Sequence, residues 1–311
     1  MFLNSKIFIA GQKNFVGKYL FKELCKNSYK KIINNNLNIE KLKDIVFLNK
    51  FFSENRPEVV FLVGGNSGGI KLNILQPASL MNDNLLIILN VFRLSHKYKV
   101  KKLLYLSSSC VYPKNINSSL LPKFLMSNKF EDTNKYYALA KIIGIQMCEA
   151  YNKEFKKNFI SVIPSTVFGP YDNFVDDNAH VVSSLIKKIH YAKVNNKKTI
   201  KLWGTGKPIR DFIYVEDLVK GLIVLLENHN SSEPVNISSG ESFTINKLSK
   251  IIKKIIDYKG NIYFDINKPD GVKKKILNID KILKYRWRPE YLIDEALEKT
   301  YKWYLRSKYI K

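Results

Sequence analysis

Cysteine is scarce: Cys25, Cys110 and Cys148 are the only three in 311 residues, and no two lie close together. Three scattered thiols argue against a disulfide framework and a zinc site, and they suit a reducing cytoplasm. Long apolar runs are also missing. No stretch approaches the ~18 residues of a membrane span, and MFLNSKIFIAG starts a strand rather than a secretory leader. Acids are few, 27 against 52 Lys and Arg, leaving a net charge of +25. That excess suits an anionic partner such as a nucleotide or nucleic acid. Yet it is mostly lysine spread along the chain beside abundant Asn and Ile, without a basic–aromatic motif or a recognition-helix pattern. Neither a nucleic acid nor a membrane is therefore expected as partner. The chain also lacks internal repeats and low-complexity linkers, and its 45% hydrophobic content fits one large or two closely joined globular domains.

The richest stretch runs from Leu104 to Lys141. Leu103–Ser107 reads as a buried parallel strand ending abruptly in Ser107-Ser108-Ser109-Cys110. Asp132, Thr133 and Asn134 can each cap a helix that continues through Tyr151. On it, Tyr137 and Lys141 are four apart and share a face. A free tyrosine, with a pKa near ~10, exchanges protons poorly at neutral pH. An ammonium one turn away is expected to pull that value down, while a serine hydroxyl at the strand end binds a substrate carbonyl. Tyr-x-x-x-Lys alone is a weak signal. Together with the upstream Ser-Ser-Cys and a glycine turn at the N-terminus it becomes a strong one.

That turn follows a strand at Lys6–Ala10: Gly11-Gln12-Lys13-Asn14-Phe15-Val16-Gly17, leading into a helix to about Lys26. Strand, glycine turn and helix N-terminus make a pyrophosphate cradle, and Asn14 tolerates the backbone of the usual middle glycine. A second strand is expected at Lys31–Ile33, ending in Asn34-Asn35-Asn36. No acid stands at its tip to bind a ribose 2′-hydroxyl, and Lys13 sits in the turn, which favours NADP over NAD. A helix over Glu40–Asn55, a strand at Val59–Val63, a glycine-rich loop at Gly64–Gly69 and a helix over Pro77–Lys97 follow. Phe159–Pro164 is a further strand, leaving through a turn at Ser165–Pro170. Strands alternating with helices predict an α/β, doubly wound parallel sheet of Rossmann type. The pattern changes after residue 165. The expected division is a dinucleotide domain at 1–165, rejoined by about 211–237, and a smaller interleaved α/β domain over 166–311.

Several motifs then agree: SSSCVYP (Ser107–Pro113), YYALAKIIG (Tyr136–Gly144), FGPYDNF (Phe168–Phe174), NAHVV (Asn178–Val182), LWGTGKPIRDFIYVEDL (Leu202–Leu218) and FDINKPDG (Phe264–Gly271). The chain resembles the extended short-chain dehydrogenase/reductase superfamily and, within it, the GDP-L-fucose synthase family, nearly end to end. The resemblance implies a homodimeric NADP(H)-dependent enzyme reducing C4 of a GDP-4-keto sugar, with epimerisation at C3 and C5, in nucleotide-sugar synthesis for surface glycans. It implies Ser108, Tyr137 and Lys141 as the reductase set, with Tyr137 the proton donor, and Cys110 and His180 as the epimerisation pair. Gly11, Lys13, Asn14, Phe15, Val16, Gly17, Ser107, Lys141, Pro164, Thr166 and His180 would hold the cofactor, and Lys188, Trp203, Arg210 and Asp270 the nucleotide sugar. No metal is implied.

The departures are Asn14 for a glycine, Asn34–Asn36 where the family offers an arginine to the 2′-phosphate, Lys188 for an arginine and Thr166 for an asparagine. They allow another GDP-sugar, such as a 4-keto-heptose, and a reductase acting on an already epimerised substrate. More distant alternatives are a 4-epimerase or dehydratase of the superfamily, and a non-catalytic dinucleotide- or nucleic-acid-binding protein. His96, His190, His229, Trp287 and Trp303 are expected to pack rather than bind, and Cys25 and Cys148 to lie in the core.

Overall fold

The computed structural model describes residues 2–34, 36–175, 179–268 and 270–310. Asn35, Asn178 and Pro269, which fall in the sequence motifs above, lie outside the described residues. The chain starts with β1 (Ile7–Ala10) and α1 (Phe15–Lys26). The expected strand at Lys31–Ile33 is reduced to a single bridge, Ile32 against Ile7. The expected helix over 40–55 is two, α2 (Ile39–Lys43) and α3 (Ile45–Asn55). Asp44 divides them: its extended backbone (ψ 103) ends one, and its carboxylate accepts from the amides of Val46 and Phe47, starting the other. β2 (Val59–Leu62), α4 (Ile70–Leu75), α5 (Pro77–Lys97), β3 (Lys102–Leu106), α6 (Lys135–Phe155) and β4 (Phe159–Pro164) follow.

Beyond β4 the expected turn at 165–170 contains a short strand, β5 (Thr166–Phe168), because it pairs in parallel with a distant segment. Next come α7 (Val181–Val194), β6 (Thr199–Trp203), β7 (Ile209–Tyr214), α8 (Val215–Asn228), β8 (Val235–Ile237), β9 (Ser242–Thr244) and α9 (Ile245–Ile256). The chain closes through β10 (Asn261–Asp265), β11 (Lys274–Lys275), α10 (Asp280–Leu283) and α11 (Ile293–Tyr304).

The main sheet is parallel with order β1-β2-β3-β4-β8. Alternation along its strands builds two cores. Ile7, Ile9, Phe61, Leu104 and Val162 face α1 and α8, while Phe8, Val60, Leu62, Leu103 and Phe159 face α3, α5 and α6. Fully buried Phe52 and Phe92 each contribute about 1.5–3 kcal/mol through burial. α1 buries Leu20 and Leu24, so Cys25, the next residue around the helix, is exposed rather than core; Cys148 is buried as expected. A smaller β10–β6 pair and the β11-β7-β5 group, with β9 on β7, form the rest of the β-structure, β5 following directly on the carboxyl end of β4. Among the described residues no helix is long and apolar enough to cross a membrane.

His96, His190, His229, Trp287 and Trp303 are packing groups, as expected. His190 meets the Tyr301 hydroxyl at 3.0 Å and His229 that of Tyr285 at 2.8 Å. His96 lies on Phe155, Trp287 is buried beneath Gly221, and Trp303 packs on Tyr171 and Phe174.

Candidate active site

Strand order reverses at β1, with Ile32 on one side and β2 on the other, and a cleft opens at the carboxyl ends there. The backbone closes tightly around it. A Cβ on Gly11 would lie 2.4 Å from Cα of Gly64, and Gly11 itself has φ +106; a Cβ on Gly17 would lie 2.0 Å from the Gly11 carbonyl oxygen. The first-turn amides of α1 have no acceptor within the helix, and no acidic side chain stands in that turn. Asn14, Phe15 and Val16 line the cavity, whereas Gly11 and Gly17 shape the turn and Lys13 is exposed on its flank. Gly17→Ala is expected to weaken dinucleotide binding at least ~10-fold, about 1.4 kcal/mol. The usual helix benefit of alanine cannot offset that overlap; fluorescence titration with NADPH checks it.

This cavity, about 470 Å³, gathers Ser107, Ser108, Cys110, Tyr137, Lys141, Pro164, Thr166 and His180. β3 and the short turn after it bring the Ser-Cys loop, and α6 brings Tyr137 and Lys141. The Ser107 hydroxyl donates to the Lys141 carbonyl (3.3 Å), and Ser108 Oγ accepts from the Cys110 amide (3.4 Å). Lys141 Nζ is buried and donates to the Leu106 carbonyl at 3.0 Å. Burial pushes its pKa down to about 8, opposed by Cys110.

Here the electrostatics differ from expectation. Burial raises the Tyr137 hydroxyl, with a Ser108 hydrogen bond pulling the other way, so the phenol keeps its proton. Lys141 does not bring Tyr137 towards neutrality, because its ammonium sits 5.9 Å from the ring centroid, aimed at a carbonyl and itself weakened by burial. Burial likewise raises the Cys110 thiol, against the pull of Lys275, Ser108 and Lys141. For His180 burial works against the imidazolium, but the Asp172 carboxylate, 3.4 Å from Nδ1, prevails and raises the pKa.

Three residues of this site were not assigned roles in the sequence. Asp172, inside the FGPYDNF motif, is buried, takes a 2.5 Å hydrogen bond from Ser183 Oγ and orients His180. Asn134, which the sequence offered only as a helix cap, occupies the N-cap position of α6 without a side-chain cap bond, and its Oδ1 is buried with no hydrogen-bond partner. Lys275 belongs to a basic run that otherwise reads as solvated charge. Motif spacing gives no sign that these three meet.

A second cavity of about 530 Å³ adjoins the first; both are lined by Asn134, Thr166, His180 and Lys275. Lys188, Trp203 and Arg210 line it. Lys188 and Lys268 place their ammonium groups 5.7 and 5.5 Å from the half-exposed Trp203 ring. Asp270 does not line it. Its carboxylate accepts from Thr205 N (2.6 Å) and Oγ1 (2.7 Å), fixing the turn beside Trp203. The pair of cavities thus joins a phosphate turn and an acid–base cluster to an aromatic face flanked by cations.

The pattern describing the NAD dependent epimerase/dehydratase family matches residues 7–238. The chain belongs to this family. Among its relatives, GDP-L-fucose synthase 1 of Arabidopsis thaliana is 35% identical over 307 residues, covering 98% of this chain and 94% of the relative. A GDP-6-OMe-4-keto-L-xylo-heptose reductase from Campylobacter jejuni superposes with a TM-score of 0.92 at 27% identity, covering 98% and 99% of the two chains. A GDP-L-fucose synthetase from Naegleria fowleri bound to NADP gives 0.87 at 26% identity, covering 97% and 94%. Membership of the epimerase/dehydratase family fits the doubly wound sheet and the phosphate turn, and the likeness to its GDP-sugar members runs the full length of the chain.

Proposed function

We propose that this chain is an NADP(H)-dependent enzyme that reduces C4 of a GDP-4-keto sugar, after inverting C3 and C5. The observation that carries the reading is the convergence of Ser108, Tyr137, Lys141, Cys110 and His180 on one cavity that opens into a cation-lined second. The glycine turn, which leaves no room for a Cβ at Gly11 or Gly17, fits a pyrophosphate held against the start of α1. When bound, NADPH supplies the hydride that C4 receives. Ser108 and Tyr137 line the wall that the C4 carbonyl oxygen would face. As charge develops on that oxygen, the phenolic O–H of Tyr137 breaks and its proton completes the alcohol. Lys141, anchored on the Leu106 carbonyl, compensates the phenolate left behind.

Epimerisation uses the acidity that the C4 ketone confers on C3 and C5. The Cys110 thiolate takes a proton from one face, the C–H electron pair moves into the enolate, and the His180 imidazolium returns a proton to the other. Activity through His180 requires its protonated form, present below its pKa and lost as pH rises through it. Asp172 raises that pKa, so Asp172→Asn moves the alkaline limb of deuterium exchange at C3 and C5 to lower pH by about one unit. A pH profile of exchange checks this.

A reductase acting only on a pre-epimerised GDP-4-keto sugar, heptoses included, has one observation in its favour: burial keeps the proton on Cys110. The deciding experiment follows NADPH oxidation with GDP-4-keto-6-deoxymannose in deuterated water, with mass spectrometry of the sugar. Deuterium at both C3 and C5 supports the bifunctional enzyme, and oxidation without it leaves the reductase alone. No oxidation, with this sugar or a 4-keto-heptose, overturns the reading. A homodimer in a reducing cytoplasm belongs to the same proposal, supported by exposed Leu86 and Leu89 on α5 and three free thiols.

A further inference from the structure

The basic run at 273–275 is the feature of the site that the chemistry above leaves without a task. Its last residue is fixed by the fold rather than left in solvent. β11 pairs in parallel with β7, setting Lys275 opposite Arg210. Just beyond, Leu277 bridges Leu120, and its amide donates to the buried Asp211 carboxylate at 2.8 Å. Held in this way, Lys275 lines the first cavity with Cys110 and the second with Arg210. Burial and the neighbouring Arg210 work against its charge, while Cys110, Asp211 and Glu131 favour it. A fold that places two cations side by side on a half-buried wall incurs a repulsion that an anion facing them relieves.

We propose that Lys275 is a positioning residue for Cys110, its ammonium on the shared cavity wall favouring the thiolate that takes the C3 or C5 proton. This rests on reading the site as an epimerase as well as a reductase. The groups facing Cys110 are Ser108 from its own loop, Tyr105 from β3, Tyr137 and Lys141 from α6, and Lys275 from β11. Of the two cations, Lys275 acts on the thiol the more strongly, and Lys141 is already committed to the Leu106 carbonyl. The proton ledger closes. The thiol proton leaves to solvent, Sγ gains the proton of the breaking C–H bond, and the electron pair enters the enolate. His180 then gives its N–H proton to the opposite face, and Lys275 stays protonated throughout.

The test is the pH dependence of iodoacetamide alkylation at Cys110, resolved from exposed Cys25 by peptide mass spectrometry. Lys275→Met and Lys275→Gln are each expected to move the midpoint up by about one pH unit or more, and Lys275→Arg to restore it. With substrate, deuterium uptake in Lys275→Met falls ~10-fold near neutrality and recovers as pH rises towards the new midpoint. An unshifted alkylation midpoint in both neutral variants overturns the proposal, as does a loss of uptake that no pH recovers. Alkylation needs no turnover. A shifted midpoint in a protein that never exchanges deuterium would therefore leave Lys275's hold on the thiol standing and remove only the epimerase reading.

Discussion

Tyr137→Phe lowers the rate of C4 reduction by about 10²–10⁴-fold, the range expected when a positioned proton donor is removed. The ring remains to pack against the core behind α6, so the fold and the affinity for NADPH should change little; only the hydroxyl is lost. Burial, helped by Cys110, keeps the proton on this phenol against the pull of a Ser108 hydrogen bond. Tyr171 and Tyr309 also line the first cavity, but their rings pack on Tyr19, Phe174 and Trp303, and the buried Tyr105 hydroxyl donates to the Lys141 carbonyl at 3.2 Å. The measurement is loss of NADPH absorbance under saturating sugar, with thermal unfolding as the control. Wild-type turnover in this variant would remove Tyr137 from the proton-donor role.

Cys110→Ala removes the acid–base group for C3 and C5 and nothing from the carbonyl-binding wall. Deuterium uptake per reduction event should fall by about 10²–10⁴-fold, read by mass spectrometry of product formed in deuterated water. The thiol is buried at the short turn after β3 and its loss leaves only a small void, so a stability cost of about 1 kcal/mol is the most the fold should register. Unchanged uptake would mean that the chain receives its substrate already inverted, and the site would then be a reductase that has kept the pair without using it. His180 provides an internal control. Its acidity depends on Asp172 rather than on Cys110, so uptake through a surviving one-base route would keep the alkaline limb set by that pair.

Local pattern carried much of this protein. Apolar runs of four to six residues, rich in β-branched and aromatic side chains and ending in glycine or serine, favour buried parallel strands over helix, so β1, β2 and β4 were legible nearly to the residue. A helix of period 3.6 puts Tyr137 and Lys141 on one face whatever surrounds them. Where expectation failed, partners distant in sequence decided. The segment at 31–33 has strand residues but finds one bridge; 166–168 has turn residues and pairs as β5 with β7. Asp44 splits a continuous helical pattern because its own carboxylate satisfies the next helix's first amides.

The sequence by itself determined the alternation of strands and helices, the phosphate turn and the chemical types of the Ser, Tyr, Lys, Cys and His that carry the reaction, since each is fixed by neighbours within one turn or one strand. Only the tertiary structure decided their acidities and their company. Burial is a property of the assembled cleft, so the raised Tyr137 and Cys110 and the weakened Lys141 could not follow from spacing. Asp172 behind His180, Asp270 turned onto Thr205, and Lys275 brought opposite Arg210 depend on strand pairings across long separations. No local pattern encodes those pairings.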